Sequence, residues 1–224
     1  MKVMVRGLLL VVGLMVVTAS SASTGSSAQI GHGCNSLQLV AARSLVGKLS
    51  RMRNWQASFE QQVILDGRVV NNQRGIIYLK RPGYLRWEIH SPFKQIIWFT
   101  PVQTVSYDIE LDQAIIKSSK SQLAAGHPMY LLGATEQDIL NCKIVKVDKK
   151  ARVKDSEVYL VYPVESDSYR SAELQYKNDQ LIGMEIITAD GQLIKLRFHD
   201  VNDHPSFTKL LFEFTPKMST EVLY

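Results

Sequence analysis

The chain is poor in nearly every residue pattern that marks an enzyme. It has two cysteines, Cys34 and Cys142, and no CxxC pair. HExxH, GxSxG and a glycine-rich phosphate loop are also missing, so metalloprotease, serine-hydrolase and nucleotide chemistry have no residues to stand on. Five histidines, His32, His90, His127, His199 and His204, are scattered, and "FHDVNDH" at 198–204 is their only cluster. His199, Asp200, Asp203 and His204 have the chemistry of metal ligands, but Asp and Asn in such a segment commonly make Asx turns. The acids Glu60, Asp66, Glu88 and Asp108 have no matched partner in the pattern. No catalytic residue, metal or cofactor is expected.

Charge of one sign is scarce too. The formal net charge is +5, and removing Lys2 and Arg6 with an acid-free leader leaves +3, too small a surplus for an exported nucleic-acid binder. Lys143, Lys146, Lys149, Lys150, Arg152 and Lys154 supply much of it, either as a solvated surface or as a docking patch for an acidic partner or anionic headgroups. Repeats and linkers are absent, and the one biased stretch is the Ser-rich 20–27.

What is present begins with the leader. Lys2 and Arg6 precede an apolar run to Val17 and then Ala19, Ser20, Ser21 and Ala22. The run is shorter than the roughly 20 residues of a membrane span and ends in a small-residue cleavage pattern, so residues 1–29 are expected to be a signal peptide with a loose N-terminus. Residues 30–224 then form one exported domain. Export permits a Cys34–Cys142 bridge, although two cysteines do not establish their own proximity.

From Ser36 to Arg53 the positions Leu37, Val40, Ala41, Leu45, Leu49 and Met52 recur at helical spacing, with Arg43, Lys48 and Arg51 off the stripe. The period then changes to two. About eleven strands are expected, at 59–65, 75–80, 84–90, 95–99, 104–107, 143–148, 156–162, 170–177, 181–188, 192–199 and 210–214, and "DQAIIKSS" at 112–119 adds another. Between Lys120 and Asn141 the alternation stops, and "SQLAAGHPMYLLGATEQDILN" holds two short helical candidates, one of them the apolar "HPMYLLG" at 127–133 that Pro128 starts and Gly133 ends. Such a chain is mainly β, with a curved antiparallel sheet, an N-terminal helix and short lid helices.

A sheet of this kind either fills its interior or keeps a cavity. The large inward candidates, Trp55, Phe59, Ile77, Leu79, Leu85, Trp87, Ile89 and Trp98, suit both outcomes. Arg81 is the odd residue among them. A three-residue turn at Pro82-Gly83 would pair it with Leu85 on the apolar face, whereas a two-residue turn would put it opposite Tyr84 on the other.

In "NWQASFEQQV" at 54–63, "YLKRPGYLRWEIHSP" at 78–92, "HPMYLLG" at 127–133 and "FEFTP" at 212–216, the chain resembles the periplasmic lipoprotein carrier family LolA. The resemblance implies an incomplete, unclosed antiparallel β-barrel with helices over its mouth. It also implies that Arg81 is a lid latch bonded to backbone carbonyls of Leu49, Leu132 and Gly133. By the same resemblance the acyl-chain cavity takes in Leu45, Met52, Trp55, Phe59, Ile77, Leu79, Leu85, Trp87, Ile89, Met129 and Leu131. The implied role is a monomeric periplasmic chaperone that receives acylated lipoproteins from an inner-membrane ABC exporter and carries them to an outer-membrane receptor. The alternatives are that receptor itself, or a lipid-sensing domain of the same fold. "TPVQ" stands where the family usually has Asp-Gly, both cysteines lie outside the family's common pattern, and only eight residues follow Pro216.

Overall fold

The computed structural model describes residues 36–118, 129–133, 144–148, 156–163 and 169–224. All belong to one compact unit, His32–Tyr224. The expected leader, both cysteines, His32, His127, Pro128 and the basic residues Lys143, Lys149, Lys150, Arg152 and Lys154 lie outside the described residues.

Helix α1, Ser36–Arg51, carries Lys48 and Arg51 in its last turn, where positive charge complements the helix dipole. Its buried face is Ala41, Ala42, Leu45, Val46, Lys48 and Leu49. Leu37 and Val40, expected on that face, are 79% and 65% exposed, and Lys48, expected off it, is buried. The helix docks through its C-terminal two-thirds, from Ala41 onward.

Among the described residues, twelve strands form one sheet in the order β12-β6-β5-β4-β3-β2-β1-β11-β10-β9-β8-β7. Strands β1 (Asn54–Leu65), β2 (Arg68–Lys80), β3 (Tyr84–Ser91), β4 (Gln95–Phe99), β5 (Gln103–Asp108) and β6 (Gln113–Ser118) make one antiparallel meander. Strands β7 (Ile144–Asp148), β8 (Ser156–Tyr162), β9 (Tyr169–Lys177), β10 (Gln180–Thr188) and β11 (Leu193–Asn202) make a second, which returns to lay β11 against β1. Among the described residues the sheet's edges are β7 and β12, and the sheet is unclosed. Asp66 and Gly67, both at positive φ (50° and 76°), form the two-residue turn between β1 and β2.

Three strand expectations change. β2 starts at Arg68 rather than Gly75, because "RVVNNQ" runs beyond the core with both faces largely exposed and so lacks alternation. β1 likewise starts earlier, at Asn54. Residues 210–214 are not a strand: Lys209–Phe212 is a 3-10 helix, and this segment crosses the outer face of the sheet instead of joining its edge. There the Leu211 carbonyl accepts hydrogen bonds from Arg86 Nη1 (3.0 Å) and Trp98 Nε1 (3.2 Å). The chain then reaches the edge and forms β12, Glu221–Leu223, parallel to β6.

Side-chain alternation sorts the core into two layers. The inner layer joins α1, the short helix α2 (Met129–Gly133) and β1–β4 with β8–β11 in one buried cluster. The outer layer is smaller: Trp98, Val105, Tyr107 and Ala114, covered by Phe214. Trp98, expected to face inward, belongs here, because Ile97 and Phe99 take the inner positions of β4 and leave Trp98 the opposite side. Phe214 stacks on both Trp98 and Tyr107, with ring centroids 5.2 and 5.5 Å apart.

Candidate functional site

The inner face is apolar at the end where α1 enters β1. Leu45, Leu49, Met52, Trp55, Phe59, Ile77, Leu79, Leu85, Trp87, Ile89, Leu131 and Leu132 all lie in the inner cluster, each buried. Met129 is in α2, but its side chain is outside the described residues. Phe59 and Trp87 pack at 4.4 Å between ring centroids. Opposite Phe59 and Ile89 stands Gly75, where a Cβ would lie 1.7 Å from the Glu88 carbonyl oxygen and 3.0 Å from Phe59. Any side chain there would break this close approach of β2 to β3.

Farther along the same face the lining turns polar. Gln61 Nε2 donates to Gln73 Oε1 (3.0 Å), and Gln95 Nε2 to Ser106 Oγ (2.8 Å). The face is therefore amphipathic along the strands, with its greasy half under the helices.

Arg81 stands at the greasy end. Leu79 pairs with Leu85 and Lys80 with Tyr84, so Arg81-Pro82-Gly83 is itself the connection, and neither register expected for Arg81 occurs. Its N–H donates to the Arg53 carbonyl (2.7 Å), extending the β1–β2 ladder by one step. Gly83, at φ +79°, supplies the left-handed turn that a residue with a Cβ would resist. The Arg81 side chain points under α2, and its Nη2 donates to the Leu132 carbonyl. Burial pulls the guanidinium down from its ordinary 12.5 to about 10, with Tyr176 pulling the other way. The Leu49 carbonyl, a second expected acceptor, takes the N–H of Met52 (3.1 Å) as the end of α1 closes. Gly133 is the last residue of α2 and is half-buried.

A second set of fasteners was invisible to the hydrophobic pattern. The Lys48 ammonium bonds Asp179 Oδ1 and Glu157 Oε1 (the latter at 3.3 Å) and lies 5.2 Å above the Tyr176 ring. Tyr159 donates to Glu157 (2.8 Å) and shares a hydrogen bond with Ser44 (2.8 Å), while Arg51 reaches Asp179 (3.2 Å). These contacts pin α1 to β8, β9 and the turn Asn178-Asp179, whose φ values are 50° and 64°. Burial alone would lower the Lys48 pKa, but the bonds to Asp179 and Glu157 outweigh it and raise the ammonium above its ordinary value. The spacing Leu45, Lys48, Met52 was the available signal, since it puts Lys48 on the buried side. Beside this clamp an open cleft of about 670 Å³ is lined by Lys48, Arg51, Met52, Asp179, Ile182 and His204.

The residues 198–204 act locally. Asp200 sits at φ 51°, Asn202 Oδ1 accepts the His204 N–H (3.0 Å), and Asp203 accepts from Gln180 (3.3 Å). What the greasy face can do chemically is bury hydrocarbon, provided the helices over it move aside.

A family model described as outer membrane lipoprotein carrier protein LolA matches residues 50–215. The outer-membrane lipoprotein carrier protein of Legionella pneumophila (strain Lens) is 25% identical over 183 residues, covering 82% of this chain and 89% of that one. The protein of the same name from Francisella tularensis subsp. novicida is 28% identical over 186 residues, covering 82% and 87%. A crystal structure of an uncharacterized conserved protein from Thermus thermophilus aligns with a TM-score of 0.56 at 12% identity, over 81% of this chain and 98% of that one, a likeness of fold.

Proposed function

The chain belongs to the LolA family of outer membrane lipoprotein carrier proteins, and from that premise we propose how it carries its cargo. It is a lipoprotein carrier chaperone, and the family and both curated relatives bear the name of the carrier rather than of a receptor. No catalytic step enters the proposal.

The cargo is the acylated N-terminus of a lipoprotein. Three acyl chains hold about 45 methylenes, and at about 0.8 kcal/mol each their exposure to water would cost on the order of 35 kcal/mol, so unassisted crossing of an aqueous space is excluded. The observation that carries the reading is the inner face itself: a continuous apolar surface covered by two helices that are held partly by polar contacts, at Arg81 for α2 and Lys48 for α1. Acyl chains take the place of the helices against Trp55, Phe59, Leu85, Trp87 and Ile89. Closure of α2 onto Arg81 then favours release, because the Leu132 carbonyl regains its donor when the cargo leaves.

The exporter is an inner-membrane ABC complex, the acceptor an outer-membrane receptor, and the carrier a periplasmic monomer whose residues 1–29 are its export leader. Among the described residues no helix is long and apolar enough to cross a membrane. The test is purification of the mature protein after mild extraction, followed by mass spectrometry for bound lipoprotein. Recovery of acylated lipoprotein in complex with the wild-type chain is expected, and its consistent absence under conditions that trap other carriers would overturn the reading.

A further inference from the structure

Two hydrogen-bond donors on the greasy face have no acceptor among the described residues: the indole Nε1 of Trp55 and the phenolic hydroxyl of Tyr176. Both side chains are fully buried, at 0% and 1% exposure. A buried donor left unpaired is destabilising, and folded proteins seldom keep one without a use for it. Neither group is there by accident of a turn or a surface loop, since each lies within a strand.

Their placement is specific. Trp55 pairs with Leu79, two residues before Arg81, and Tyr176 is opposite Leu181 at the β9–β10 turn that Lys48 clamps. Tyr176 is also close enough to Arg81 to feel its charge. Burial holds the phenol far above its ordinary value, with Arg81 pulling it back, so the hydroxyl keeps its proton and is a donor. An indole N–H and a guanidinium are donors only. The end of the greasy face beneath the helices therefore offers hydrogen-bond donors inside an apolar surround.

A hydrocarbon tail has nothing to accept these bonds. The group joining a tail to the rest of a lipid does: ester and amide carbonyl oxygens are acceptors without protons to give. We propose that Trp55 and Tyr176 form a carbonyl-reading subsite at the helix-covered end of the acyl face, donating to the ester or amide carbonyls from which the cargo's acyl chains hang. This deepens the carrier reading and rests on it. It orients the cargo with its chain roots beside Arg81 and its tails toward Phe59, Trp87 and Ile89. The unloaded chain bears the cost of two idle donors, which loading relieves.

The test compares lipids that differ only at the carbonyl. Binding of 1,2-dipalmitoylglycerol, its dihexadecyl ether analogue and a tripalmitoylated cysteinyl peptide is measured by displacement of a fluorescent acyl probe from the mature protein. Two net hydrogen bonds predict a preference for ester over ether of roughly tenfold. Tyr176→Phe should reduce that preference to about threefold and raise the melting temperature of the unloaded protein by deleting an idle hydroxyl. Trp55→Phe should narrow the preference as well. A larger effect of Tyr176→Phe on the lipopeptide than on the diester would support reading of the amide carbonyl of acylated protein; equal effects would support reading of glyceryl esters shared with free lipid. Equal ester and ether binding by the wild type, or an unchanged preference in Tyr176→Phe, would overturn the subsite and leave the carrier reading standing. No displacement by any of the three would overturn both.

Discussion

Replacing Arg81 by leucine separates what the guanidinium does for folding from its proposed role in holding the lid. In the closed form the charge is held in a dry place, and burial draws its pKa from 12.5 to about 10. At about 1.36 kcal/mol per unit, a fall of that size is a net cost on the order of 3 kcal/mol to the folded chain at neutral pH, the bond to the Leu132 carbonyl included. Arg81→Leu should therefore fold at least as stably as wild type, gaining up to about 3 kcal/mol. Transfer responds differently, because the bond to Leu132 is made only when α2 is down. Losing it disfavours the closed, empty state by about 1.5–3 kcal/mol, so delivery of acylated cargo to an acceptor membrane should drop roughly 10- to 100-fold while loading persists. Transfer at the wild-type rate would refute the latch, and a less stable Arg81→Leu would refute the net cost of holding the charge there.

Two other substitutions probe the frame around the face. Lys48→Met keeps the buried stem but releases the α1 clamp; because Glu157 and Asp179 are half-exposed and can rehydrate, the loss should be only about 1–2 kcal/mol in chemical denaturation. The raised Lys48 pKa means its stabilisation is complete below 10.5 and lost as pH rises through the folded value, while the lowered Asp179 pKa makes that carboxylate's share present above 3.8 and lost at lower pH. The variant's stability should therefore vary less than the wild type's at both ends of the pH range, and an identical profile would count against the clamp. Gly75→Ala drives a Cβ into the Glu88 carbonyl and should cost about 3 kcal/mol or more, with loss of the near-ultraviolet signal of the Phe59–Trp87 pair. A wild-type denaturation midpoint would contradict that packing.

The architecture was legible where burial is one-sided. From Tyr84 to His90 the alternation of Leu85, Trp87 and Ile89 with polar neighbours marks both a strand and its inner face, and the same holds for Trp55, Ala57 and Phe59. Alternation fades where both faces are wet, as in Arg68–Gln73, or where both are dry, as in β4, which is why the sequence alone turns Trp98 inward. The segment 210–214 has a strand's composition, but its partners are side chains on the sheet's outer face rather than a neighbouring strand. Position in chain does not reveal such a strap. Lys48 was hidden because its partners, Glu157 and Asp179, are over 100 residues away. Tyr176 carried no local signal at all: its interest lies in the acceptor it lacks among the described residues, which only packing discloses.

The most direct test of an acyl-binding inner face uses a photo-crosslinking amino acid at position 87 or 98. Trp87 and Trp98 lie on adjacent, paired strands but point to opposite faces of the sheet, one under the helices and one under the Phe214 strap. Irradiation of loaded carrier should link acylated lipoprotein through position 87 and leave position 98 unlinked. Equal linkage at both positions, or linkage at 98 alone, would contradict a cargo held between the sheet and its helices.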